Sequence, residues 1–167
     1  MMYKEFEKFV AEFKSRPIPG KHVYIWNGDK DLLLEIIGKN QTEEIDLCLY
    51  MDTDADLLED NVNASVVRKQ IEKTLEHKLF ELYSDVQKRG KQQILVVLSP
   101  SILARYKIGL TVFYNYYLGD HTMVIFVVPI PKFQNDLKLP EYVKYDPNET
   151  LKYISSLTQP ENVIVVK

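Results

Sequence analysis

The chain has one cysteine among its 167 residues, Cys48, so no internal disulfide can form. Cys48 lies in the apolar run Asp46-Leu-Cys-Leu-Tyr and reads as a small buried hydrophobe. Long apolar runs are also missing. The longest are about seven residues, against the roughly 20 that a membrane-spanning helix needs. The segment MMYKEFEKFVAEFKSR carries acidic residues throughout and has no apolar core of the kind a secretory leader requires, so a cytoplasmic protein is expected. Neither sign of charge dominates: 21 Lys and Arg face 24 Asp and Glu, a net charge of −3. That balance gives no general attraction to nucleic acid or to an anionic membrane. Histidine is scarce too. His22, His77 and His121 have no metal-pair spacing such as i, i+4, which excludes the usual zinc signatures. His121 beside Asp120 suits acid–base chemistry by residue type, but no nucleophile accompanies it.

What is present is an alternation of elements in a composition typical of globular domains, 46 % hydrophobic and 27 % charged. The length suits one domain that buries about two-thirds of its unfolded surface. Phe6, Phe9, Val10 and Phe13 recur at helical spacing over residues 3–15, ended by Pro17, Pro19 and Gly20. HVYIW (22–26) reads as a strand and residues 30–38 as a helix, with Asp29 at its cap. IDLCLYM (45–51) reads as a second strand. From 64 to 89, Val67, Ile71, Leu75, Leu79, Leu82 and Val86 form one continuous stripe of a long helix. Strands follow at 93–98 and 123–128, almost wholly apolar, as strands buried on both faces are. Between them a helix spans 101–117, with Gly109 at a bend or a break. Residues 131–147 read as loop with a short strand, EYVKY. Asp146-Pro147-Asn148-Glu149 starts a last helix, and NVIVV forms a last strand.

This order predicts a single α/β domain: a three-layer sandwich of about five mostly parallel strands with helices on both faces. The favoured strand order is P-loop-like, 5-1-4-3-2, with a flavodoxin-like 2-1-3-4-5 order as the alternative. The mixed composition of the first two strands suggests positions near an edge. The helix at 3–15 is expected to pack outside the core.

Chemistry in such folds sits at the carboxyl ends of the strands. The first turn, WNGDKDLL, has one glycine and two aspartates where a P-loop needs a glycine-rich turn ending in Lys-Ser/Thr. Carboxylates there repel a triphosphate, and no hydroxyl follows Lys30 to hold magnesium. Asn27-Gly28 reads as a tight turn. The second strand ends in MDTDAD, an acidic turn in which Asp52 and Asp54 could join Asp29 around Mg²⁺ if the first two strands are neighbours. The third strand ends in LSPSILAR. No glycine flanks Ser99, so the motif differs from a nucleophile elbow, and Ser99 or Ser101 is expected to cap the next helix. Arg105 follows one turn later, with Tyr106, Phe113, Tyr114, Tyr116 and Tyr117 crowded behind it. Five large aromatics exceed what one buried stripe absorbs. An exposed remainder suits a protein interface, where Tyr and Arg are favoured. Base stacking by these tyrosines lacks the basic run that nucleic-acid contact requires.

The strand VYIWNGDKDLLLEII, the run IDLCLYMD, the long helix, and LVVLSPSILARYKIGLTVFYNYYLGDHTMVIFVVP together resemble the BrxB-type small proteins of bacterial BREX phage-defence systems. More broadly, the element order resembles a P-loop ATPase core that has lost its nucleotide motifs. The resemblance spans residues 22–129 and carries no catalytic residue across. It implies a non-enzymatic component of a defence complex with protein partners.

Two functions are therefore expected to compete. The favoured one is a non-catalytic adaptor or assembly component, needing no cofactor, that contacts a protein partner or a second copy through Arg105, Tyr106, Tyr114, Tyr116 and Tyr117. The other is a metal-dependent phosphoryl-processing enzyme, or a residual nucleotide-binding domain, using Asp29, Asp52 and Asp54 with Mg²⁺ and placing Arg105 on the phosphate.

Overall fold

A computed structural model describes residues 2–47, 64–89, 92–116, 119–129 and 147–166. The order is α1 (Tyr3–Ser15), β1 (His22–Asn27), α2 (Lys30–Ile37), β2 (Thr42–Asp46), α3 (Ala64–Arg89) and β3 (Gln93–Leu98). It continues with α4 (Ser101–Arg105), α5 (Thr111–Tyr116), β4 (Thr122–Val128), α6 (Pro147–Ser156) and β5 (Val163–Val165). The segment EYVKY and Cys48 lie outside the described residues.

All pairings are parallel, and the five strands lie in the order β2-β3-β4-β1-β5. Read from the β5 edge this is 5-1-4-3-2; the 2-1-3-4-5 arrangement is not formed. β1, β3 and β4 form the middle of the sheet and are buried along almost their whole length. β1 lies beside the short edge strand β5, near an edge as its mixed composition suggested, yet it is buried throughout. Its polar-tipped residues are covered: the His22 ring packs against Phe13 at 5.5 Å and Phe9 at 5.7 Å.

Successive residues of a strand face opposite sides, and the two faces have separate cores. Val23 and Ile25 join Leu95, Val97, Val124 and Phe126 beneath α3, α4, α5 and α6. Tyr24 and Trp26 join Ile94, Val96, Met123 and Ile125 beneath α1 and α2. The connection from β1 to β2 runs one way across the sheet, and the later connections run the other way. Crossovers of a single handedness then require helices on opposite faces, as found.

α1 is a full member of one helical layer and does not pack outside the core. Phe6 and Phe13 are completely buried and Val10 nearly so. Lys14 fixes the layer by donating from Nζ to the carbonyl of Ile37, at the end of α2, and to that of Asn40 at 2.9 Å. Burial of this ammonium lowers its pKa. On the other face α3 buries Ile71, Leu75 and Leu79, and the Arg68 Nε donates to the Tyr106 carbonyl at 3.1 Å.

The helix expected over 101–117 is two short helices, separated by a stretch in which Lys107 takes a φ of 54°. The break lets Ile108 and Leu110 turn into the core, and the Tyr153 hydroxyl of α6 donates to the Ile108 carbonyl at 2.9 Å. β2 also differs from expectation. It comprises Thr42–Asp46, so it starts earlier than IDLCLYM and shares Ile45 and Asp46 with it, while residues 48–51 of that run lie outside the described residues.

Candidate functional site

In an open parallel sheet the ligand crevice forms where neighbouring strands send their connections to opposite faces. Here that point lies between β1, which leads into α2, and β4, which precedes α6. Asn27 and Val128 are paired across it. The Asn27 side chain is buried and donates from Nδ2 to the Val128 carbonyl at 3.1 Å, so a side-chain amide fastens the mouth of the crevice.

Gly28 follows, and its role is steric. A Cβ there would lie 2.9 Å from the Val166 Cβ and 3.2 Å from the Trp26 Nε1. The glycine admits the chain leaving β5, whose Val166 amide donates to the Asn27 carbonyl at 3.1 Å. Asp29 occupies the N-cap position of α2, but its carboxylate makes no capping bond. Its carbonyl instead accepts from the indole Nε1 of Trp26 at 2.8 Å. Lys30 faces Glu44 of β2 at 3.9 Å.

The other end of the rim is built on β2 and β3. The Ser99 hydroxyl donates to Asp46 Oδ1 at 2.7 Å, and Ser99 is only 5 % exposed. Ser99 has a φ of 59°, a left-handed conformation uncommon for a residue other than glycine. A strand-to-helix serine at positive φ is also the backbone of a nucleophile elbow. The hydroxyl here is engaged by a carboxylate, and the three histidines lie elsewhere. His22 and His121 flank the amino ends of β1 and β4, and His77 contacts Glu81 on the outer face of α3 at 3.2 Å. Neither Ser99 nor Ser101 stands at the N-cap position of the following helix. Pro100 holds the N-cap position of a helix only five residues long.

The aspartates expected to gather around Mg²⁺ required β1 and β2 to be neighbours. The sheet places β3 and β4 between them, a separation of about 14 Å at normal strand spacing. Asp29 stands at the β1 end, while Asp52 and Asp54 lie outside the described residues.

The expected aromatic interface is divided. Tyr106 is 8 % exposed and belongs to the core, so it is no surface anchor. The Arg105 guanidinium is half-buried and lies 5.7 Å from the Tyr106 ring centre. Phe113 is fully buried and meets Phe126 edge-on at 5.2 Å. Tyr114 is half-buried, with the Lys21 ammonium 4.8 Å over its ring. Tyr116 ends α5 by its backbone; its side chain and the whole of Tyr117 lie outside the described residues.

Asp120 and His121 also act structurally. Asp120 Oδ1 accepts from the Gly20 amide at 3.0 Å, and the His121 carbonyl accepts from the Gln93 amide at 2.8 Å. Both contacts lie at the amino edge of the sheet, opposite the rim.

Exposed apolar groups are found where the sequence reading did not place them, on the solvent side of α3. Val66, Phe80 and Tyr83 are 50 %, 55 % and 38 % exposed. Their steps fit multiples of three and four, which the buried Ile71–Leu75–Leu79 stripe of the same helix obscures. No protein-family model, curated protein or solved structure matches the chain. Among the described residues no helix is long and apolar enough to cross a membrane.

Proposed function

We propose that the protein is a non-catalytic adaptor or assembly component that acts through protein–protein contacts, with the outer face of α3 as its contact surface. The observation that carries this reading is the exposure of Val66, Phe80 and Tyr83 along one side of a 26-residue helix. Single exposed apolar residues are ordinary, but an aliphatic and two aromatics at helical spacing form a surface that partners favour. The helix is about 39 Å long, roughly twice the length of the strands it covers, so it extends beyond the sheet. The polar groups of the rim supply a second support. Asn27, Trp26 and Ser99 direct their donors into bonds that join strands and turns. The BrxB-type resemblance of residues 22–129 points the same way, toward a protein component of a larger bacterial defence assembly.

The test is photocrosslinking in the producing cell with p-benzoylphenylalanine in place of Phe80. Discrete adducts are expected, and they should fade when Tyr83 is changed to Ser. If illumination yields only uncrosslinked protein, the reading is wrong.

A further inference from the structure

We infer that the outer face of α3 pairs with the same face of a second copy of this chain, antiparallel and about a two-fold axis between residues 74 and 75. The inference rests on the reading of α3 as a contact surface and names its partner. Among the exposed residues of α3, those at 66, 69, 73, 76, 80 and 83 follow one another in alternating steps of three and four along one side. That is the spacing of the a and d positions of a coiled-coil seam. The residues are Val66, Lys69, Lys73, Glu76, Phe80 and Tyr83, and all six lie away from the buried Ile71, Leu75 and Leu79.

The order along the seam is self-complementary. With the axis at its centre, Lys73 of one copy meets Glu76 of the other, twice. Moving outward, Lys69 lies over the ring of Phe80, a cation–π contact with an aliphatic stem to cover the aromatic edge. At the ends Val66 packs on Tyr83. Every seam residue thus meets a chemically suited partner, and a two-fold axis repeats each contact. A parallel pairing would instead set Lys69 on Lys69, Lys73 on Lys73 and Glu76 on Glu76, and like charges directly opposed disfavour it. Polar residues at three of the six seam positions select orientation at the expense of stability, so a reversible dimer is expected.

Sedimentation equilibrium of the purified full chain, over a concentration series into the hundreds of micromolar, tests this. The wild type should show a monomer–dimer equilibrium. Lys73→Glu and Glu76→Lys should each weaken self-association by about tenfold or more, because each sets like charges opposite one another at both central contacts. Mixing the two variants should restore association as a heterodimer, since all four central charges are then matched. The double variant Lys73→Glu/Glu76→Lys should dimerise like the wild type. Both positions are exposed, and circular dichroism of each variant checks that the fold is retained. A wild type that stays monomeric throughout overturns the inference. So does a dimer indifferent to both single changes. If the purified chain is monomeric while the Phe80 crosslinker captures another protein in cells, the homodimer falls and the adaptor reading stands. If it captures nothing, both fall.

Discussion

The Ser99 hydroxyl binds the Asp46 carboxylate at 2.7 Å and ties the end of β3 to the end of the edge strand β2. Ser99 holds this bond from a left-handed backbone. Two substitutions separate the contributions. Ser99→Ala loses the bond and keeps the strain, so it should destabilise by about 2–3 kcal/mol in urea unfolding. Ser99→Gly loses the same bond but relieves the backbone, and should recover about 1 kcal/mol of that loss. Equal losses would show that the positive φ carries no strain.

Gly28 should be intolerant of even a methyl group. Its Cβ would meet Val166 at 2.9 Å. Gly28→Ala is expected to cost about 1–3 kcal/mol and to alter the fluorescence of the single tryptophan, whose Nε1 lies beside the same position. Val166→Gly removes the opposing carbon, so the double variant should be more stable than the two separate losses predict. Additive losses in a double-mutant cycle would deny the contact.

α1 should behave as core. Phe6 is fully buried, 5.4 Å from the Tyr24 ring and 6.0 Å from that of Trp26. Phe6→Ala or Phe13→Ala should each cost about 3–5 kcal/mol. An appended helix would tolerate either change with losses below about 1 kcal/mol in thermal or urea unfolding.

Tyr24 gives the fold an alkaline limit. Burial pushes its phenol from the ordinary 10.0 up to about 12. Between those values the unfolded chain releases the proton and the folded chain keeps it, so stability falls as pH rises through this window. The full contribution is about 2–3 kcal/mol, absent below pH 10 and complete above about pH 12. Tyr24→Phe should flatten the decline of urea midpoints over that range. An unchanged slope would mean that Tyr24 ionises as freely in the folded chain as in the unfolded one.

The parts legible in the sequence were those in which periodicity and burial agree. The stripe that runs through Ile71, Leu75 and Leu79 makes α3 legible because a single helix face meets the sheet. β3 and β4 are legible because both faces are covered, leaving no polar position to interrupt them. β2 was displaced because it is an edge strand: Thr42, Glu43 and Glu44 tolerate solvent, while the neighbouring apolar run drew the assignment downstream. The mixed composition of β1 fits its place beside the edge strand but not its complete burial: its aromatic and imidazole groups are hidden by α1, a contact that no local pattern encodes.

The site was less legible because its bonds join residues far apart in the chain. Asn27 reaches Val128, and Ser99 reaches Asp46. Cap chemistry was the local reading of Asp29 and Ser99, and in both cases a long-range partner or a different geometry prevailed. The surplus of tyrosines after Arg105 was real in composition, yet Tyr106 is drawn inward where the helix breaks. The exposed groups of α3 were hidden in the sequence by the stronger periodicity of the opposite face.

The pairing of β1 with β5 brings Trp26 alongside Ile164, most of the chain away. During synthesis, one flank of β1 remains open until residues 163–165 emerge. Between the emergence of β1 and that of β5, nascent chains therefore display a bare, strongly apolar β edge, which is a template for wrong pairing. Crowded polysomes and abrupt arrest before Val163 are the circumstances in which this protein should depend most on chaperones.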